Sequence, residues 1–167
     1  MAHLLGVTSL VMGEHGVGGV AVSEEMVITA LLHDAAEDHG GAIRLLDIEQ
    51  NLGAVVAHMV EGLSDTLAES GQEKERWEDR KSAYLRKLEV ESAEVQLSSV
   101  ADKVHNARTM LEDYRVCGAG LWKRFKRGRD QQLWYMRELL SIYRGGGKGR
   151  LTDEFERLIA ELCHATG

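Results

Sequence analysis

The run His33-Asp34-Ala35-Ala36-Glu37-Asp38 crowds four ionisable side chains into little more than one helical turn. Residues four apart share a helix face, so His33 stacks with Glu37 and Asp34 with Asp38 in adjacent rows. Like charges at that spacing repel, and burying such a cluster without compensation is costly, so Asp34 and Asp38 call for a cation or a proton. A bound metal ion is the simplest remedy. A second run, Asp102-Lys103-Val104-His105-Asn106, sets Asp102 and Asn106 on one face beside the small Ser98, Ser99 and Ala101. An acidic helix face is usually solvated surface, and His-Asp dipeptides are common by chance. Here the dipeptide follows a strongly apolar run, Glu-Asp follows it, and a second apolar helix carries an isolated Asp.

The elements that must position these residues are helical. Leu4, Leu5, Val7, Thr8 and Val11 recur at helical spacing before a glycine-rich break at 13–19. Ser23 is an N-cap candidate, with Glu24 and Glu25 in the first turn, for a second helix that carries His33 and ends near Gly40-Gly41. Ile43, Leu45, Leu46 and Ile48 predict a short third helix stopped at Gly53, and Val55 to Leu63 a fourth. Charged residues then dominate from Leu67 to Arg80, a connector leading into a helix through Leu88. Val95 to Tyr114 is a long helix with the stripe Leu97, Val100, Ala101, Val104, Ala107 and Leu111. Leu121 to Phe125, Leu133 to Tyr143 and Leu151 to Leu162 complete the set, with a Gly-rich linker opening at Gly145.

Composition agrees. The 167 residues include no proline and only 5% aromatics, with 44% hydrophobic and 28% charged residues. Such a chain suits one all-α domain and argues against an all-β sandwich or wholesale disorder. A net charge of −7 argues against general attraction to nucleic acid or to an anionic membrane. No apolar run reaches the length of a membrane span, and no signal peptide is visible. Cys117 and Cys163 form neither a zinc knuckle nor a disulfide framework, which suits a reducing cytoplasm.

The string Ala30-Leu31-Leu32-His33-Asp34-Ala35-Ala36-Glu37-Asp38 resembles the ALLHDxxED motif of the HD-domain guanosine tetraphosphate hydrolases, which include the small alarmone hydrolases. Val100-Ala101-Asp102-Lys103-Val104-His105-Asn106-Ala107-Arg108-Thr109 resembles their LADRLHNxRT motif, and Ala2-His3-Leu4-Leu5-Gly6-Val7 their first-ligand segment. The resemblance implies an all-α HD bundle of roughly seven to nine helices. The HD domain would cover 1–144, with 145–167 a linker and a C-terminal helix packed on it. It implies one divalent ion, typically manganese, on His3, His33, Asp34 and Asp102, a donor set that zinc, iron or nickel would also accept. Glu37 and Asp38 would orient and deprotonate water, and hydrolysis would release pyrophosphate from the 3′ position of a nucleotide. Asn106 and Thr109 match positions that contact substrate, while Lys103 and Arg108 are phosphate partners by charge alone.

Family members carry a further helix before the first histidine, with an Arg-Lys pair that helps hold guanine, whereas His3 here lies two residues from the start. Alternatives are an HD nucleotidase or phosphodiesterase acting on another phosphate ester, and a non-catalytic nucleotide-binding HD module. The basic segment 122–129 reads as a solvated helix end with Trp122 and Phe125 in the core. Lys74, Arg76, Arg80 and Lys81 read as solvated in the same way, Lys81 being as plausible as any to reach the site. The glycines at 145–149 lack the Ser or Thr of a phosphate loop. His15, His39, His58 and His164 have no partners at ligand spacing.

Overall fold

A computed structural model describes residues 1–68, 75–146 and 149–165. Among them the chain is all-α, as expected, with helices α1 (Ala2–Met12), α2 (Glu24–Leu32), α3 (Ala35–Asp38), α4 (Gly41–Leu52) and α5 (Ala54–Leu63). There follow α6 (Trp77–Glu89), α7 (Ala93–Cys117), α8 (Gly128–Gly145) and α9 (Arg150–Ala165). The expected connector is seen only outside 69–74, and the linker residues Gly147 and Lys148 also lie outside the described residues. Gly145 is helical, closing α8.

The chain forms two compact units, Met1–Ser99 and Val100–Gly167, divided within α7. In the first, α1 packs on α2, and α5 packs on α2, α3, α4 and α6. Val7, Val11, Met26 and Ala30 are buried between the first two helices' inward faces, which is where the periodic apolar residues of each helix point. A second cluster of Ala36, Ile48, Val56, Ala57 and Val60 is lined by Ile28, Leu32, Ala35 and Leu45. Ala35 and Ala36 therefore give the short α3 its core face, and the acidic residues on either side of them are left to the other. Ser23 caps α2 as predicted, its Oγ accepting the Met26 N–H at 3.3 Å.

Gly41 is the point of tightest approach. Its φ is +53°, and a Cβ there would lie 2.3 Å from the Leu67 carbonyl oxygen. Only glycine meets both demands. The α3–α4 turn thus presses on the segment after α5.

In the second unit α8 packs on α9, burying Leu139, Tyr143, Leu151, Phe155 and Leu162. The rings of Tyr143 and Phe155 meet edge to face at 5.9 Å. Leu121 to Phe125, expected as a helix, instead holds the end of a 3-10 stretch, Gly118–Arg124, followed by Phe125 in extended backbone and only half-buried rather than in the core. Its glycines at 118 and 120 give no inward side chain to bury, while Leu121 and Trp122 anchor the turn in the core. Lys123, Arg124, Lys126 and Arg127 are exposed, as a solvated segment should be.

Candidate metal centre

The predicted helix carrying His33 through Asp38 is broken at its most charged point. α2 ends at Leu32, His33 and Asp34 form a turn, and α3 restarts at Ala35. His33 Nδ1 lies 2.8 Å from the Ala30 carbonyl oxygen. That oxygen only accepts, so Nδ1 carries the hydrogen in the neutral ring and Nε2 presents its lone pair. A side chain that takes a backbone acceptor competes with the helix ladder at that position. The two four-residue rows of the uninterrupted helix consequently do not form one polar face. His33 and Asp34 turn toward α1, while Glu37 turns toward the segment after α5.

On the first side, His3 Nε2 lies 3.2 Å from His33 Nε2. Asp34 Oδ2 is 3.2 Å from His33 Nε2 and 3.6 Å from His3 Nε2. The packing of α1 on α2 brings His3 within reach across 30 positions of sequence. His33 is buried, and His3 and Asp34 are partly exposed. Ligand atoms about 2.1 Å from a common ion stand roughly 3.0–3.5 Å apart in octahedral or tetrahedral arrangements. The observed spacings are close to that. These three residues form a group able to hold a metal ion, and the Ala30 carbonyl supplies the outer hydrogen bond that orients a ligating imidazole.

On the second side, Glu37 Oε2 accepts the Asp65 backbone N–H at 3.4 Å. Burial, and then the Asp65 charge, push the Glu37 carboxyl above its ordinary range, with Lys81 acting against them. Asp65 sits just beyond α5, its side chain only 3% exposed, with Arg80 Nη1 at 2.7 Å and Lys81 Nζ at 2.5 Å on its two oxygens. Burial disfavours the Asp65 charge, but Lys81, a hydrogen bond from Glu37, and Arg80 outweigh it and hold the group below its ordinary range. Lys87 donates to the carbonyls of Glu61 at 2.5 Å and Ser64 at 3.1 Å, closing the end of α5 next to Asp65. Asp38 is exposed at the end of α3.

The remaining predicted residues lie in the second unit. Asp102 is buried on α7 and accepts from Lys103 Nζ at 2.5 Å and Asn106 Nδ2 at 2.7 Å. Asn106 is thus the face partner that the four-residue spacing predicts. Thr109 is exposed, its hydroxyl donating to the His105 carbonyl. Arg108 directs Nε and Nη2 to Glu154 Oε1 at 2.7 and 2.6 Å, tying α7 to α9.

Sequence reasoning passed over Asp65, Arg80 as its partner, and Lys87. The one available signal was an acidic residue directly after the apolar run of α5, followed by an Arg-Lys pair opening the next helix. No spacing rule connects either to Glu37.

Several proteins share this architecture. The crystal structure of lmo0812 from Listeria monocytogenes EGD-e matches with a TM-score of 0.75 and 28% identity, over 94% of this chain and 96% of that one. A metazoan orthologue of SpoT that hydrolyses ppGpp has the same fold, with a TM-score of 0.70 at 21% identity over 95% and 79% of the two chains. A GTP pyrophosphokinase of Myxococcus xanthus is 29% identical over 96 residues, which are 56% of this chain but 12% of that protein. The chain thus spans a small part of that relative. Residues 1–120 match the family described as HD domain, and the chain belongs to that family.

Proposed function

We propose that this protein is a metal-dependent phosphohydrolase that removes pyrophosphate from the 3′ position of guanosine tetraphosphate or a related nucleotide. The observation that carries the reading is the convergence of His3, His33 and Asp34, with the half-buried carboxyl of Glu37 three residues beyond Asp34. The motif resemblance adds Asp102 to the ligands and favours manganese, which suits a mixed imidazole and carboxylate set. When bound, the ion would lower the pKa of water and draw charge from phosphoryl oxygens.

The chain's own groups supply the rest. Asp34 and the two Nε2 atoms hold the ion. Glu37, once deprotonated, accepts the proton of the attacking water as the water oxygen bonds to phosphorus and the bond between phosphorus and the 3′ oxygen breaks, the 3′ oxygen leaving with a proton from solvent. Its raised pKa brings it nearer the working pH, where a general base is most effective. Asp38, exposed beside it, orients the water. Asn106 and Thr109 are assigned to the nucleotide by resemblance, with Lys103 and Arg108 as secondary phosphate partners. No described helix is long and apolar enough to cross a membrane.

The test is to incubate purified protein and Mn²⁺ with guanosine tetraphosphate and, in parallel, with a panel of ordinary nucleotides. Pyrophosphate released from the tetraphosphate alone is the expected result. Release from other phosphate esters instead would make it a broader HD nucleotidase. Binding without turnover would make it a nucleotide-binding module.

A further inference from the structure

Glu37 stands on α3, a helix of four residues, too short to fix a side chain without tertiary support. Among the described residues, the hydrogen bond to its carboxyl comes from Asp65. The Asp65 N–H meets Glu37 Oε2, and the Asp65 carboxylate is gripped by Arg80 and Lys81 from the start of α6. Two ion pairs at 2.7 and 2.5 Å on a carboxylate this buried form a rigid anchor, because parting either leaves a charge uncompensated.

We propose that Asp65, clamped by Arg80 and Lys81, is a positioning residue that fixes the Glu37 carboxyl relative to the His3, His33 and Asp34 cluster. The inference rests on the catalytic reading of Glu37 given above. The clamp has an electrostatic consequence as well. Two carboxylates this close do not ionise together at low cost, and the cations sit on Asp65, so Glu37 is the member that holds a proton longer. The charged groups acting on Glu37 are Asp65 and Lys81. Of the other elements packed against α3, α4 brings Arg44 and Asp47, which pair with each other at 2.6 Å. From α5 come His58 and Glu61, both exposed. On its own segment Glu37 has Asp34, directed at the histidines, and exposed Asp38.

The experiment is Asp65→Asn, read in two ways. The first follows the Glu37 carboxyl by carbon NMR against pH in metal-free protein without substrate. The expected result is titration at lower pH than in the parent, since a negative neighbour is gone and two cations remain. The second is the pH–rate profile with Mn²⁺ and the substrate that the parent turns over. Its acid limb should move to lower pH, with kcat down about 10- to 100-fold and KM little changed, the pattern of lost support rather than lost binding.

Asp65→Asn leaves Arg80 and Lys81 without a counter-charge, so Asp65→Asn/Arg80→Gln is measured beside it to secure a folded protein, with the same direction expected. An unmoved Glu37 titration in a folded variant overturns the proposal. If the parent turns over nothing, the catalytic reading fails while the NMR titration still decides whether Asp65 governs Glu37.

Discussion

On the proposed function the side chains of the centre divide the labour between holding and reacting, and substitution separates the two. Asp34→Ala removes the carboxylate shared by both imidazoles. Metal affinity should fall by more than the roughly 10–100-fold that loss of an outer-shell partner costs, and activity should fall with it. Equilibrium dialysis with Mn²⁺ reads this, and full metal stoichiometry in Asp34→Ala would remove that residue from the ligand set. Asp102→Ala, measured the same way, tests the assignment that comes from resemblance. Glu37→Gln should keep its metal and lose about 10²- to 10⁴-fold in turnover, the usual contribution of a positioned general base. At this scale the sequence was eloquent about His33 and Asp34, because an apolar run ending in ligand-type residues is a strong local pattern. It was silent about Asp65, whose meaning depends on a carboxyl 28 positions away and on two cations from a later helix.

Helices came through clearly wherever a periodic apolar face met a cap or a glycine stop. α2 starts directly after its cap Ser23, α4 stops at Gly53, whose φ is +93°, and α5 runs to Leu63. The break between α2 and α3 was not visible, since nothing in helix propensity announces that His33 will take the Ala30 carbonyl. The 3-10 turn at 118–124 was misread because its apolar pair lies too close to two glycines for a helix to gain from it. Gly41→Ala tests how one element seats another. Left-handed backbone alone costs a non-glycine residue about 1–2 kcal/mol, and the collision with Leu67 must push back the segment that carries Asp65. Denaturant titration should show at least that loss, and turnover should drop further than the stability change explains. Parent-like stability would mean that the α3–α4 turn adjusts without strain.

Across the whole chain, composition alone pointed to all-helical structure, and the two compact units each supply an apolar centre. Phe155, fully buried in the second, should cost about 3–5 kcal/mol when replaced by Ala, visible as a lower denaturation midpoint. The opposed carboxyls make stability depend on acidity in two directions. Asp65 has a folded pKa below its unfolded one, so its contribution is complete above the unfolded value and disappears as pH falls through the folded value. Glu37 is the reverse: its folded pKa is raised, and the contribution present at low pH is lost as pH climbs through that raised value. The pair therefore favours the native state most in mildly acidic solution and less in more alkaline buffer, where the Asp65 contribution remains and the Glu37 contribution is lost. Glu37→Gln escapes that penalty, because an amide stays neutral and can still meet Asp65. Its melting temperature should exceed the parent's by a margin that widens as pH rises from the unfolded to the raised folded Glu37 value and then levels off, and a margin independent of pH across that range would contradict this account. The native glutamate would then be an instance of a protein accepting a less robust fold for the sake of its chemistry, with the cost confined to one proton.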